Sequence, residues 1–230
     1  MKYYKYFLFD ADDTLFDYNK AEQNALNKML SLYNYEYSEE LRSKYKKINS
    51  DAWKSYERGE ISKESMQELR FLRLFEVMSV NWDAAEFNKK YLIELGKGGF
   101  IIDGAYELCE KLYLSNKTIC IITNGILLSQ KTRLEHSTIK PFISKLFVSE
   151  EIGYAKPQIE YFNYVLSNIE CENKENVLVI GDLLETDILG ANAAGIDSCW
   201  LNAKGIHNDT NIHPTYEVNK LSDILDFLYE

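Results

Sequence analysis

A chain of 230 residues, 46% apolar and 27% charged, has the composition of a soluble globular protein and is long enough for one large domain or a core with a smaller insert. Its formal net charge of −10 argues against a nucleic-acid polymer as partner, which needs clustered Lys and Arg to displace counterions, but leaves open a small anionic substrate balanced by a metal ion. The first apolar run is short and ends in carboxylates, and no run approaches a membrane span, so the expectation is a cytoplasmic protein with no membrane partner.

The first predicted element is "YKYFLFD" (4–10), which turns abruptly acidic. Asp10, Asp12 and Asp13 place three carboxylates within four positions, where like charges repel and burial adds a desolvation cost. From residue 17 to about 95 only helical signals follow, at 20–33, 38–57, 62–78 and 83–95. Gly59 and Ser62 punctuate the second and third, and Asp83 with Glu86 has capping-box spacing at the start of the fourth. After "GKGGF" (96–100) the pattern changes again. Short β-rich runs at 117–123, 145–150, 176–182 and 197–202 are joined to helix-length segments at 104–115, 157–169 and 185–195. The second of these opens on Pro157, with Ile159, Phe162, Val165 and Leu166 at helical spacing, and the third closes on Gly195.

Strands buried on both faces and alternating with helices predict an α/β fold with a doubly wound parallel sheet. The predicted division is a core of residues 1–16 and 96–230 and an inserted all-α unit of residues 17–95. In such sheets ligands bind beyond the carboxyl ends of the strands. Those ends carry Asp10-Ala11-Asp12, Thr123-Asn124-Gly125, Lys156-Pro157 (opening the helix after the third strand) and Gly181-Asp182, with Asp187 five residues on. Clustered carboxylate oxygens suit Mg²⁺, a hard cation that would cancel repulsion between Asp10 and Asp182. Asp13-Thr14 has the turn chemistry to take the backbone out of strand geometry there, and Asp13 is read as a turn residue without a chemical role.

The stretches "DADDT", "ITNG", "AKP" and "GDLLETD" resemble, in order and spacing, the four motifs of the haloacid dehalogenase superfamily, in its large phosphatase branch. The helical insert after the first motif is similar to that superfamily's first type of cap domain. The segments 48–62, 148–157 and 185–202 further resemble bacterial pyrimidine 5′-nucleotidases of the house-cleaning type, so the resemblance covers nearly the whole chain. One departure is Leu183, where many relatives carry Thr or Ser; it removes a hydroxyl beside the fourth motif.

The resemblance implies that Asp10 is the nucleophile and that Asp12 protonates the leaving alkoxide, then takes a proton from water. It assigns the phosphoryl oxygens to Thr123, the backbone around Asn124, and Lys156. It assigns Mg²⁺ to Asp10, Asp182 and the Asp12 carbonyl, with Asp187 in support. The implied substrate is a small phosphorylated metabolite, a pyrimidine nucleoside 5′-monophosphate with deoxy forms included; the protein would be a monomer or small homo-oligomer. A sugar-phosphate phosphatase or phosphomutase is the alternative. A receiver-type signalling module is remoter, because its phosphoacceptor lies on a later strand and no large insert follows strand one. A dehalogenase is disfavoured, since its relatives lack the second Asp.

Tyr33, Tyr35, Tyr37, Trp53 and Tyr56 make the insert aromatic, and a nucleobase could stack on such rings. With 17 Tyr in the chain, core packing is the better reading for any one of them. His136, His207 and His213 have no metal-ligand spacing. Cys109, Cys120, Cys171 and Cys199 form no C-x-x-C pair and read as buried reduced thiols.

Overall fold

In the computed structural model, which describes residues 3–225, β1 (Tyr6–Phe9) lies at the centre of the sheet. Its side chains alternate between two cores: Phe7 and Phe9 pack on one face, Tyr6 and Leu8 on the other. The remaining strands are β2 (Thr118–Thr123), β3 (Ile143–Val148), β4 (Val177–Gly181), β5 (Asp197–Leu201) and β6 (Tyr216–Val218). They run in the order β3-β2-β1-β4-β5-β6, every pair parallel. All their carboxyl ends therefore open on one edge. The sequence reading has five of these strands. β6, three residues long, is too short for a periodic signal.

Along the chain the helices are α1 (Tyr18–Leu32), α2 (Glu39–Glu57), α3 (Lys63–Met78), α4 (Ala84–Gly96), α5 (Ala105–Leu114), α6 (Leu127–Glu135), α7 (Ser149–Ile152), α8 (Ile159–Asn168) and α9 (Leu189–Ala194). Leu108 and Leu112 of α5 cover the Phe7–Phe9 face, while Phe162 and Val165 of α8 and Ala191 of α9 cover the Tyr6–Leu8 face. Pro157 does not open a helix as the sequence suggested. It follows a cis peptide bond from Lys156, and α8 starts two residues later, after a turn closed by Gln158 N–H donating to the Ala155 carbonyl (2.8 Å).

The chain divides into two compact units, Met1–Asn19 with Gly99–Glu230, and Lys20–Gly98. Both limits fall three residues later than the sequence boundaries at 17 and 95, and the first two residues of α1 belong with the sheet-bearing unit. In the helical unit the caps follow the sequence: Ser38 Oγ accepts from Leu41 N–H, Ser62 Oγ from Ser65 N–H, and Asp83 Oδ1 from Glu86 N–H at 2.9–3.1 Å. Its interior is aromatic, with Phe71 against Tyr45, Phe87 and Tyr91, and Trp82 against Tyr33 and Tyr35. Tyr37 donates its hydroxyl to Glu39 (2.8 Å). Trp53 and Tyr56 instead form a half-buried edge-to-face pair, ring centres 5.9 Å apart. All four cysteines are free and Cys171 is only partly buried. No helix among the described residues is long and apolar enough to cross a membrane.

Candidate active site

At the carboxyl end of β1 the chain leaves the sheet at once. Asp10 N–H makes a last ladder bond to the Ile180 carbonyl (2.8 Å). Leu15 and Phe16 N–H then both turn back to the Ala11 carbonyl, with Asp13 in the left-handed region at φ 58°. Short polar Asp tolerates that conformation, which is the turn role read for Asp13.

β4 ends on Gly181-Asp182, and a single wide turn, Leu184–Ile188, follows, with Asp187 and Ile188 N–H both bonded to the Leu183 carbonyl. This turn carries Asp187 back under the strand end. A Cβ on Gly181 would stand 2.2 Å from Asp187 Oδ2, so only glycine admits that carboxylate. The Asp182 carbonyl is held by Trp200 Nε1–H from β5 (2.9 Å). Carboxylate oxygens of Asp10, Asp182 and Asp187 thereby lie within 4.8 Å of one another.

Lys156 faces this cluster. Its Nζ donates to Asp10 Oδ1 (2.5 Å), Asp187 Oδ1 (2.7 Å) and the Ile122 carbonyl (3.0 Å), with the residue only 4% exposed. The Asn124 side chain brackets the Lys156 backbone, donating to its carbonyl (2.8 Å) and accepting from its N–H (2.9 Å). Asn124 thus positions the lysine through its amide. Thr123 is nearly buried. Its N–H donates to the Tyr161 hydroxyl, which donates in turn to the Phe147 carbonyl, and its Oγ1 accepts from Gly125 N–H, each at 2.9 Å. With that acceptor position filled, the Thr123 hydroxyl has a proton to donate.

Three buried or half-buried carboxylates face a single ammonium. Desolvation, then the negative charges of Asp187 and Asp182, push the Asp10 carboxyl well above the usual range against the opposing pull of Lys156. Desolvation and the charges of Asp187 and Asp13 push Asp182 up to about 7. Burial works against the Lys156 charge, yet Asp10 and Asp187 outweigh it and hold the lysine above its ordinary value. With three carboxyl groups against one ammonium, the cluster favours additional positive charge, and its carboxyl groups offer only hard oxygen donors, a fit to a divalent cation such as Mg²⁺.

Asp12 goes elsewhere. Its carboxylate is not in the cluster: Arg133 Nη1 holds Oδ1 in an ion pair and Gln130 Nε2 donates to Oδ2 (2.7 Å). Only its backbone carbonyl is left for the metal role that the resemblance implied. The sequence reading singled out neither Gln130 nor Arg133. The available signal was the inward face of α6, where Ser129, Gln130 and Arg133 are all buried and polar. Leu183 costs the site little, because its side chain is 48% exposed and its backbone N–H still donates to Asp187 Oδ2 (3.2 Å).

A parallel sheet carrying such an acid cluster at its carboxyl edge, with a helical unit inserted after its first strand, is the architecture of the haloacid dehalogenase-like hydrolases. The chain belongs to that family, matching it over residues 7–201. It is 37% identical to the HAD-hydrolase YfnB of Bacillus subtilis over 99% of this chain and 97% of that one. It is 34% identical to the pyrimidine 5′-nucleotidase PynA of Streptococcus pneumoniae (98% and 95% covered) and 32% identical to the pyrimidine 5′-nucleotidase YjjG of Escherichia coli (96% and 96%). The crystal structure of YfnB bound to magnesium superposes with a TM-score of 0.93 over the full length of both chains. Family membership sets aside the receiver-type alternative.

Proposed function

We propose that this hydrolase is a Mg²⁺-dependent phosphomonoesterase of nucleoside 5′-monophosphates, pyrimidine and deoxypyrimidine forms preferred, working through an aspartyl phosphate in the cytoplasm. The observation that carries the reading is Lys156 bridging Asp10 and Asp187 beside Asp182. Lys156 holds Asp10 Oδ1, which leaves Oδ2 as the attacking oxygen. Attack on phosphorus breaks the bond to the leaving oxygen, which Asp12 protonates; Asp12 then takes a proton from the water that hydrolyses the acyl phosphate and frees Asp10. The Thr123 hydroxyl, the backbone at Asn124 and the Lys156 ammonium are the donors for the phosphoryl oxygens. Asp10, Asp182 and the Asp12 carbonyl would hold Mg²⁺, with Asp187 keeping Lys156 and the turn at Leu183 in place. The ion supplies charge neutralisation at the phosphoryl group.

These groups address only the phosphate, which every monophosphate shares. Selection among leaving groups is therefore assigned to the inserted helical unit, with the half-buried Trp53–Tyr56 pair as its stacking surface. The nucleotide preference is supported by two relatives named as pyrimidine 5′-nucleotidases, each similar along nearly the whole chain, insert included. The test is phosphate release across nucleoside monophosphates and hexose phosphates, in Mg²⁺ and in EDTA. The expected result is Mg²⁺-dependent turnover with kcat/KM highest for pyrimidine nucleotides. A preference for sugar phosphates would transfer the assignment to that substrate class.

A further inference from the structure

Asp12 is the one carboxylate of the strand-end motifs whose partners the family motifs do not name, and both its oxygens are engaged. The donors, Gln130 Nε2 on Oδ2 and Arg133 Nη1 on Oδ1, stand three residues apart on α6 and are 2% and 0% exposed. The Arg133 guanidinium lies over the Phe16 and Tyr18 rings, 5.7 Å from each ring centre and within cation–π range, but its Nε and Nη2 are buried without a hydrogen-bond partner among the described residues. Burying a guanidinium this way is costly, and an aliphatic side chain would fill the position without that cost. Beyond the two ring contacts, the return on the arrangement is the grip on Asp12, its one carboxylate partner among the described residues.

Gly125 makes the same point from the other side. A Cβ there would stand 2.2 Å from Gln130 Nε2, so the glycine of "ITNG" is the space through which Gln130 reaches Asp12.

We propose that Gln130 and Arg133 are positioning residues for the acid–base step, fixing the Asp12 carboxylate relative to a phosphoryl group on Asp10. The inference rests on the phosphatase reading above. The two partners do different work. Arg133 can only donate, and its charged bond to Oδ1 is the stronger anchor. Gln130 carries a donor and an acceptor, and its Oε1 is buried with no hydrogen-bond partner among the described residues. By turning its amide it can donate to the Asp12 carboxylate or accept from the protonated acid, so it suits an oxygen that gives a proton to the leaving group and recovers one from water. Oδ2 is therefore the oxygen that exchanges, and Oδ1 the one that stays fixed.

The test uses the full chain with Mg²⁺ and the variants Gln130→Met, Arg133→Lys and Asp12→Ala, singly and combined, with thermal melts as folding controls. Substrates are p-nitrophenyl phosphate, whose leaving group needs little protonation, and the best nucleoside monophosphate, whose alkoxide needs it. A carboxylate displaced by about 1 Å costs up to roughly 100-fold. Expected are losses of roughly 10-fold for Gln130→Met and roughly 100-fold for Arg133→Lys in kcat/KM on the nucleotide. On p-nitrophenyl phosphate the losses should stay within about 3-fold, and neither variant should lower activity further in the Asp12→Ala background. Equal losses on both substrates, or losses that multiply with Asp12→Ala, would overturn the proposal and leave a merely structural ion pair. If Arg133→Lys does not fold, Gln130→Met decides alone, and wild-type kinetics in it would overturn the assignment. A wild-type protein that hydrolyses neither substrate would instead strike the phosphatase reading itself.

Discussion

Replacing Lys156 by Met keeps an unbranched side chain only one atom shorter and removes its charge, so it isolates what the ammonium does. In the wild type Nζ contacts two carboxylates and a carbonyl at 2.5–3.0 Å in a nearly dry position. Taking one partner from a buried ion pair typically costs about 3–5 kcal/mol, because the other partner is left buried and uncompensated. Here two carboxylates lose their partner and a third lies within 4.8 Å. Protonation of Asp10 is the available relief, so the cost stands in full only where that proton must be taken from alkaline solution. In a domain of this size one kcal/mol moves Tm by about 2–4 °C, giving an expected drop of about 6–20 °C at pH 8 in EDTA. The drop should shrink at pH 5.5, where a proton replaces the lost charge, and in millimolar Mg²⁺, which binds the folded state. Melts followed by circular dichroism under the three conditions measure this. A variant that melts within about 2 °C of wild type in EDTA at pH 8, or whose deficit ignores both pH and Mg²⁺, would refute the electrostatic account of the site.

The wild-type protein should itself respond to metal and pH. Asp182, with its carboxyl pushed up to about 7, holds a proton when folded that the unfolded chain gives up near pH 4. Metal-free stability therefore falls as pH rises between those values, and Mg²⁺ should raise Tm more at pH 8 than at pH 5; an equal rise at both would count against the cluster as the metal site. Asp10→Asn should abolish turnover while leaving Tm in EDTA at pH 8 no lower than wild type, because it removes one of three crowded charges; activity within a few-fold of wild type would end the covalent mechanism. Trp53→Ala and Tyr56→Ala should narrow the kcat/KM gap between pyrimidine nucleotides and hexose phosphates and spare p-nitrophenyl phosphate, whereas equal damage to all substrates would make the pair mere packing.

Much of this was legible in the residues. Continuous apolar runs at β1, β2 and β4 mean strands covered on both faces, and a helix between successive runs forces them parallel, so every strand must end on one edge. That alone places Asp10, Thr123 and Asp182 together before any coordinate is known. The shift to helical spacing after residue 17 likewise marks the inserted unit, because Ser38, Ser62 and Asp83 start three of its helices through bonds from the N–H groups three residues on. Such features are local, and a local pattern records them.

Tertiary structure alone decided which charge meets which. Lys156 reaches Asp10 across 146 residues, and Arg133 reaches Asp12 across 121. No periodicity distinguishes that buried arginine from a solvated one on an ordinary helix. By local pattern Asp187 is only a carboxylate near a helix start, and its supporting role came from the resemblance; the wide turn at Leu184–Ile188 and the missing Cβ of Gly181 carry it into the acid cluster. The Asn124 side chain, read only as a neighbour of the phosphate, brackets the Lys156 backbone. Sequence spacing determines which residues arrive at the edge of the sheet, because strand and helix periods are properties of the backbone. Their pairing depends on distances between segments far apart in the chain, and on which charges the packed interior leaves without water.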